Sequence, residues 1–280
     1  MPTLTRRRFL QGVAVCTVAG AAAPAEARGP DRPTTERPSF VVPGLDAAHD
    51  GLRVAQLSDL HVGARTPPAR IRAAIDEVNA FAPDLVVLTG DYVCRDQSGV
   101  AAMKEQLAGL AGPVVAVLGN HDHWVDGPGV SRALAHHGYD VLRNQNTTLR
   151  LRGVPFTVVG IDDLLTNQAR PREALAGARR GSRLAIAHGP KTAEQLRALG
   201  EPLVCLAGHT HGGQINIPGV TSFFLRALAH EPYDRGLFRL GPVQLYVSRG
   251  VGNSALRIRV NSTPEVTLAT LRATGVRSGA

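Results

Sequence analysis

Short apolar runs alternate along the chain with segments that have the spacing of amphipathic helices. The runs LRVAQLS, DLVVLTG and PVVAVLG are too short and too rich in β-branched residues for helices, and they end directly before Asp59, Asp91 and Asn120. Between them, apolar residues recur at helical spacing over residues 67–78 and 100–110. This order of strand, helix and strand predicts right-handed parallel crossovers within one sheet.

A second set of strands follows residue 146, and the alternation with helices resumes before His188. The strand-rich last part of the chain is typical of a second, more antiparallel sheet that packs on the first. The predicted fold class is therefore α/β, with two facing mixed β-sheets flanked by helices in four α/β/β/α layers. The elements predicted here are strands at 148–151, 154–160, 243–247, 255–260 and 266–271 and helices at 171–178 and 192–199.

The amino terminus has the features of an export signal. Residues 5–11, with the sequence TRRRFLQ, precede an apolar stretch at residues 12–23 and small-residue cleavage sites near Ala25 and Ala27. This arrangement resembles a twin-arginine signal peptide, and the apolar stretch is shorter than the ~20 residues that span a bilayer. We expect residues 1–27 to direct the chain to the twin-arginine export machinery, and hence to the periplasm, the cell envelope or the extracellular space.

Composition divides the rest of the chain. Four prolines in residues 28–43 predict an extended tether with no core to join, so the catalytic domain is expected at residues 44–273 and a flexible tail at residues 274–280.

The formal net charge of +8 comes almost entirely from arginine, since only two of the 31 basic residues are lysines. No arginine cluster has interleaved aromatic residues, so we expect no specific nucleic-acid binding, whereas an anionic substrate fits the charge.

Five of the apolar runs end in side chains that can bind a metal ion. Ligand sites in open α/β sheets lie outside the carboxyl ends of the strands, so these side chains are expected to meet in one crevice. Taken singly, Asp59 could cap a helix, Asn120 could form a turn and His188 could be an ordinary buried histidine. Together their carboxylate, amide and imidazole groups favour a site for two divalent cations, with Mn, Fe and Zn all compatible. The candidate ligands are Asp59, His61, Asp91, Asn120, His188, His209 and His211.

The ordered set of motifs resembles the calcineurin-like metallophosphoesterase family. The motifs are Asp59-Leu60-His61, Gly90-Asp91, Gly119-Asn120-His121-Asp122, His188 and Gly208-His209-Thr210-His211, within a resemblance that extends over roughly residues 50–272. Further motifs are similar to the exported, phosphodiesterase-like branch of that family. They are Gly212-Gly213-Gln214, Tyr246-Val247-Ser248-Arg249-Gly250 and Pro264-Glu265.

This resemblance implies a role for each motif residue. The family's pattern gives the first metal the ligands Asp59, His61 and His211, the second metal Asn120, His188 and His209, and makes Asp91 the bridge between them. A hydroxide that bridges the two metals would attack phosphorus. His121 would contact the substrate phosphate and protonate the leaving oxygen, and Asp122 would orient or charge the His121 imidazole.

The predicted function is exported, metal-dependent hydrolysis of phosphodiester-type bonds. The motifs define the reacting phosphorus and leave the leaving group open, so the alternative is a phosphomonoesterase or pyrophosphatase acting on nucleotide or lipid-linked substrates. A non-catalytic metal-binding scaffold is a further alternative, although the motif series is complete.

Two features close to the motifs in the sequence bear on the choice of substrate. Trp124 could line the cleft or pack in a loop, and the apolar segment Thr221–His230 could cap the cleft, contact a membrane surface or pack on the core.

Overall fold

The computed structural model describes residues 32–274, except residues 64, 95, 96, 219, 228, 229 and 255. The predicted signal peptide at residues 1–27 and residues 275–280 of the predicted tail lie outside the described residues. The strands in the described part of the chain are β1 (Thr34–Glu36), β2 (Ser39–Val42), β3 (Leu52–Leu57), β4 (Leu85–Leu88), β5 (Val114–Ala116), β6 (Asp140–Val141), β7 (Gln145–Leu151), β8 (Val154–Ile161), β9 (Arg183–Ala187), β10 (Val204–Ala207), β11 (Gly236–Leu240), β12 (Val243–Val247) and β13 (Glu265–Ala273). The α-helices there are α1 (Pro68–Phe81), α2 (Ser98–Gln106), α3 (Asn120–Ala135), α4 (Pro171–Leu175), α5 (Thr192–Ala198) and α6 (Val220–Ala227).

The first sheet contains four neighbouring parallel strands in the order β3-β4-β5-β6. β13 pairs antiparallel with β3 and, on its other side, parallel with both β1 and β2. The segments that join β3 to β4 and β4 to β5 contain α1 and α2. The predicted alternation of strand and helix is therefore confirmed in this half of the fold.

The second sheet has the strand order β11-β12-β10-β9-β8-β7. Its four central strands, β12, β10, β9 and β8, run parallel, and each outer strand pairs antiparallel with its neighbour. The sheet has more antiparallel pairs than the first, as expected, but these pairs lie only at its two edges. The strands that carry the predicted histidine motifs, β9 and β10, lie in its parallel centre.

Apolar side chains bury both faces of each sheet, which produces four layers. Side chains from the two sheets, including Val54, Val87, Ile186 and Leu206, form one cluster between them. The opposite face of the first sheet packs against α1, α2 and α3, and the opposite face of the second packs against α4 and α5. This arrangement confirms the predicted α/β fold of two mixed sheets flanked by helices. No helix in the described ranges is long and apolar enough to cross a membrane.

Residues 34–42 belong to the folded unit, so the prediction of a tether over residues 28–43 is wrong for this part of the chain. β1 and β2 pair with β13, and Phe40 and Val42 are buried between the sheets. The prolines that suggested a tether are tolerated because β1 and β2 lie at the edge of the sheet, where an unpaired backbone position needs no N–H donor.

Two predictions about the last part of the chain also need correction. Residues 255–260 do not form the predicted strand in the part of this segment that the structure describes, where Val260 makes an isolated bridge to Ile215. The Arg259 guanidinium instead donates to the Ser262 carbonyl at 3.1 Å, which holds the segment in a loop. The strand predicted at 266–271 exists as β13, but it pairs with β3 and therefore lies in the first sheet. Local patterning could not predict this pairing, because β3 is far away in the sequence.

Candidate metal centre

The carboxyl ends of five parallel strands carry the predicted site residues. Asp59 and His61 follow β3, Asp91 follows β4, Asn120 follows β5, His188 follows β9, and His209 and His211 follow β10. The structure brings all seven side chains together, and each is buried except for the partly buried His209. The topological expectation that distant motifs meet in one crevice is therefore confirmed.

Five of these residues have a left-handed backbone. The φ angles are 52° for Asp59, 44° for His61, 57° for Asp91, 75° for His209 and 53° for His211. Non-glycine residues rarely adopt this conformation, which costs on the order of 1–3 kcal/mol each and persists only where surrounding contacts impose it. Such strain is typical of functional sites, and here it bends the chain sharply where it leaves three of the five strands.

Hydrogen bonds between the two sheets determine how the strand ends face each other. The buried Gln56 amide of β3 donates to the Ala207 carbonyl of β10 at 2.9 Å. The Asp59 carboxylate of the first sheet accepts a hydrogen bond from the backbone N–H of His209, in the second sheet's loop, at 3.0 Å. These contacts join β3 directly to β10, so the donors that follow the two strands form one cluster.

Asp59, His61 and His211 form a first donor group, with their ligand atoms all within 4.8 Å of one another. The Nε2 atoms of His61 and His211 are 3.1 Å apart, and His211 Nε2 is 3.4 Å from Asp59 Oδ1. The two imidazole rings stack with 5.0 Å between their centroids. Two nitrogens and one carboxylate oxygen thus converge on one point.

Asp91, His188 and His209 form a second donor group of the same kind. His188 Nε2 lies 3.3 Å from Asp91 Oδ2, 3.2 Å from His209 Nδ1 and 3.1 Å from Asn120 Oδ1. Asn120 therefore adds an amide oxygen to this group. Asp91 Oδ2 also lies 3.8 Å from His61 Nε2, so one carboxylate oxygen faces both groups.

The orientation of the histidine rings fits the binding of cations. His61 Nδ1 contacts the Val93 carbonyl at 3.1 Å, and His188 Nδ1 contacts the Thr89 carbonyl at 2.8 Å. A carbonyl only accepts hydrogen bonds, so each Nδ1 carries a proton, and Nε2 is the ring nitrogen that faces the donor group and can bind a cation in the neutral ring. Converging lone pairs and carboxylate oxygens repel one another unless a positive charge lies between them, and mixed N and O donors suit Mn, Fe or Zn.

The electrostatics around Asp91 favour positive charge. Burial alone would raise the pKa of Asp91, but His188, followed by His121 and His61, holds the pKa well below its usual range. Burial likewise opposes a charge on His188, yet the Asp91 carboxylate holds the pKa of that imidazole well above its usual range. The Asp91 carboxylate is therefore negatively charged at neutral pH, and its Oδ2 atom faces both donor groups.

The other histidine ligand candidates are neutral donors at neutral pH. Burial lowers the pKa of His61 and the pKa of His209 to about 3. Burial, reinforced by the neighbouring His61 and Arg259, also holds the pKa of His211 well below its usual range. Neutral imidazole is the form that binds a metal ion, so these rings need not lose a proton first.

His121 lies beside the donor groups and outside both of them. Its Nδ1 contacts the Cys94 carbonyl at 2.7 Å, and its ring packs edge-on against His61 with 5.1 Å between the centroids. Because Nδ1 donates to a carbonyl, Nε2 is the ring nitrogen that can give or take a proton. His121 is partly buried, and its contact with substrate remains a prediction.

The predicted pairing of Asp122 with the His121 imidazole is wrong. The buried Asp122 carboxylate accepts hydrogen bonds of 2.8 to 3.2 Å from the backbone N–H groups of Asp91, Tyr92, Val93 and Gly119. Burial, and then the charge of Asp91, raises the pKa of Asp122 to about 7, while these hydrogen bonds act in the opposite direction. Asp122 therefore positions the loop after β4 against the first turn of α3.

Two glycines permit the close approach of these loops. A Cβ atom on Gly119 would overlap the Asp91 carboxylate, and one on Gly208 would overlap both Ser58 and the Asp59 carboxylate. Each glycine belongs to the loop of one strand and contacts a candidate ligand from another. Any side chain at either position would separate the donor groups.

Two residues beside the centre were not indicated by the sequence. Arg259 is buried, with Nη2 3.1 Å from His211 Nδ1, but its alternation with Arg257 in the sequence is typical of a solvent-facing strand edge. Cys94 offers its thiol within 4.8 Å of ligand atoms of His61 and His121. The sequence feature that could have indicated Cys94 is its position three residues after the candidate ligand Asp91.

The apolar segment predicted to bear on the substrate forms α6, which contacts the short 3₁₀ helix His211–Gly213. The Thr221 hydroxyl donates to the Ile215 carbonyl at 3.0 Å, which ties α6 to the loop after the last motif. The side chains of Phe223 and Phe224 lie outside the described residues. Helix α6 therefore lies next to the segment that carries the candidate ligand His211.

Residues 52–213 match the family model of the calcineurin-like phosphoesterases. The matched region begins with β3, ends with the His211–Gly213 helix and contains all nine predicted site residues. The chain belongs to the calcineurin-like phosphoesterase family. It is a metal-dependent phosphoester hydrolase.

Curated relatives extend the similarity beyond this region. The chain is 30% identical to the uncharacterized metallophosphoesterase YkuE of Bacillus subtilis (strain 168), over 98% of the chain and 100% of YkuE. It is 36% identical to the phosphodiesterase YaeI of Escherichia coli (strain K12), over 77% of the chain and 80% of YaeI. It is 27% identical to the UDP-2,3-diacylglucosamine pyrophosphatase LpxG of Chlamydia trachomatis, over 78% of the chain and 83% of LpxG. The names of YaeI and LpxG give two different activities, a phosphodiesterase and a pyrophosphatase.

Proposed function

We propose that the chain is an exported phosphodiesterase that uses two divalent cations, drawn from Mn, Fe and Zn. The observation that carries the proposal is the position of Asp91, whose Oδ2 atom faces His61 in the first donor group and His188 in the second. A carboxylate oxygen shared by two groups of N and O donors suits a pair of cations.

Each cation would have its own set of side chains. Asp59, His61 and His211 would hold the first, Asn120, His188 and His209 would hold the second, and Asp91 would be shared. When bound, such a pair lowers the pKa of water and offsets charge on the phosphate. The carboxylates of Asp59 and Asp91 would offset only part of the charge of two divalent cations. The net positive charge that remains would attract the anionic substrate.

His121 would act on the leaving oxygen. Its Nδ1 is engaged by the Cys94 carbonyl, so Nε2 is free of that contact and can donate a proton. Its backbone N–H donates to Asp91 Oδ1 at 2.9 Å, which keeps the ring in register with the donor groups. Asp122 would act indirectly, by positioning Asp91 and the start of α3.

The preference for diesters is supported by the identity of 36% with a relative named as a phosphodiesterase. The alternative, a pyrophosphatase or phosphomonoesterase acting on nucleotide or lipid-linked substrates, is supported by the likeness to the LpxG pyrophosphatase. All of these reactions would place phosphorus at the same donor groups, and they differ in the leaving group or in the substituent that stays on phosphorus.

Substrate panels separate these functions. Wild-type protein loaded with Mn, Fe or Zn would be assayed on bis(p-nitrophenyl) phosphate, p-nitrophenyl phosphate and a nucleotide-sugar pyrophosphate, with elemental analysis of each preparation. We expect kcat/KM to be highest on the diester and to disappear after chelation. A higher value on the pyrophosphate or the monoester would favour the alternative. Metal binding with no turnover on any substrate would contradict both and favour a non-catalytic scaffold.

Export is proposed from the motif at residues 5–11 and the apolar stretch that follows it. The proposed division is a signal peptide at residues 1–27, a catalytic unit that includes β1 and β2 and ends near residue 273, and a short tail. Replacing Arg6 and Arg7 by lysine should retain the precursor in the cytoplasm, whereas Arg8→Lys should not. Normal appearance of the double variant in the envelope or medium would contradict export by this route.

A further inference from the structure

The single tryptophan of the chain lies beside the residue proposed to act on the leaving group. Trp124 is 49% exposed, and its ring is 5.0 Å from the His121 ring, measured between centroids, at an interplanar angle of 64°. The tilt means that the imidazole covers only part of the indole. A large aromatic surface thus remains accessible at the edge of the centre.

The position of Trp124 follows from helix geometry. Asn120, His121 and Trp124 lie at positions i, i+1 and i+4 of the first turns of α3, where residues three and four apart are neighbours on one face. The intervening His123 is held by Asp162, with 2.6 Å between Nε2 and Oδ1. This contact restrains the helix turn that carries the indole.

A row of aromatic rings leads from the donor groups to the indole. Successive centroids are 5.0 Å apart from His211 to His61, 5.1 Å from His61 to His121 and 5.0 Å from His121 to Trp124. Trp124 therefore forms the exposed end of a continuous wall that begins at a candidate ligand. A substrate that places phosphorus at the donor groups would extend along this wall.

Trp124 differs in chemistry from the other exposed hydrophobic residues. The other large hydrophobic side chains exposed in the described part of the chain are all aliphatic: Val41, Leu165, Ile217, Val220, Leu237 and Val260. Leaving half of an indole in water forgoes much of its hydrophobic stabilisation. Exposed aromatic rings beside a charged site are typical of surfaces that stack on the planar part of a ligand.

We propose that Trp124 determines specificity by stacking on an aromatic or heteroaromatic ring carried by the leaving group of the phosphoester. The inference rests on the proposed function, because it places the leaving group on the side of His121. The preferred substrates are then aryl or nucleoside esters of phosphate, since every such ring presents a planar face to the indole.

Two phosphonates test the proposal without the need for their hydrolysis. Phenylphosphonate and methylphosphonate share the head group and differ in the ring, and each would be measured as a competitive inhibitor of bis(p-nitrophenyl) phosphate hydrolysis. We expect the wild type to bind phenylphosphonate roughly tenfold more tightly than methylphosphonate. Trp124→Ala should reduce this ratio to about one, and Trp124→Phe should retain most of it.

The control variant is Leu237→Ala, which removes a comparably exposed apolar side chain on β11 and should keep the wild-type ratio. The same ligands can be titrated against the selectively excited tryptophan fluorescence of the wild type, which reports Trp124 because the chain has a single tryptophan. Phenylphosphonate should change the emission, and methylphosphonate at equal occupancy should not.

Equal affinity of the wild type for the two phosphonates would overturn the proposal, as would a preference for the ring that survives in Trp124→Ala. Failure of the wild type to hydrolyse the diester would instead overturn the proposed function. The fluorescence titration needs no turnover, so it still decides the role of Trp124 in that case.

Discussion

The backbone N–H of His121 donates to Asp91 Oδ1 at 2.9 Å. This hydrogen bond leaves Asp91 Oδ2 directed at both donor groups, 3.8 Å from His61 Nε2 and 3.3 Å from His188 Nε2. The residue proposed to join two cations is thus oriented by the residue proposed to act on the leaving group. The end of β4 and the start of α3 form one structural unit.

Replacement of the His121 side chain tests its role in proton transfer. His121→Gln retains the backbone hydrogen bond to Asp91 and leaves both donor groups intact, so we expect kcat on diesters to fall by about 10²–10⁴ with unchanged metal content. Steady-state kinetics and elemental analysis measure the two effects. His136→Gln, an exposed histidine at the end of α3, should behave like the wild type. A normal kcat in His121→Gln would exclude the proposed role.

Replacement of Asp122 tests whether it positions the loops. Asp122→Asn keeps one acceptor oxygen but directs an amide N–H₂ at backbone N–H groups, so we expect a loss of about 3 kcal/mol in the free energy of unfolding at pH 8. Metal content should fall with it, because Asp91 and Asn120 depend on these hydrogen bonds. Urea unfolding compared with Asp76→Asn, an exposed acid on α1, measures the loss. Wild-type stability combined with an altered pH profile of kcat would show that Asp122 acts on His121 instead.

Two glycines beside candidate ligands form a matched pair. A Cβ at Gly119 overlaps the Asp91 carboxylate, whereas a Cβ at Gly189 has only Leu164 nearby, at 3.9 Å. Gly119→Ala should therefore displace Asp91 and lower activity by at least about tenfold, corresponding to roughly 1.4 kcal/mol. Gly189→Ala should retain most of it. Equal activities in the two variants would mean that Asp91 does not need its observed position.

Glu231 should make stability depend on pH. Burial raises its pKa from 4.5 to about 7, so the folded chain holds a proton that the unfolded chain releases between those values. The free energy of unfolding therefore falls as pH rises through this window, by up to about 3 kcal/mol. Glu231→Gln removes the penalty and should be more stable than the wild type at pH 8 and equally stable at pH 4.

Urea unfolding at both pH values measures this difference. The exposed Glu105→Gln in α2 serves as the control and should show no difference at either pH. A constant offset between Glu231→Gln and the wild type would contradict the raised pKa. The donor groups also titrate over this pH range. Their contribution to stability is the same in the variant and the wild type, so it cancels in the comparison.

The donor groups were predictable from the sequence because they depend on two general rules. Short β-branched runs identify buried strands, and the carboxyl ends of parallel strands lie where ligands bind. Asp59, Asp91 and His188 each follow such a run, so their meeting required no knowledge of side-chain contacts. The helix over residues 67–78 was equally accessible, since its apolar spacing survives as the buried face of α1.

Other features depend on contacts that no local pattern encodes. The role of Asp122 is determined by backbone N–H groups of the loop after β4, whose path is known only from the structure. The prolines around β1 and β2 concealed edge strands, because their pairing partner β13 lies at the other end of the chain. Arg259 was concealed by an alternating pattern that is typical of solvent exposure.

Anomalous diffraction from crystals of the active protein loaded with Mn tests the central claim most directly. We predict two peaks, one among Asp59, His61 and His211 and one among Asn120, His188 and His209, with the Asp91 carboxylate between them. A single peak, or peaks away from Asp91, in crystals of protein that hydrolyses diesters at its full rate would contradict the account.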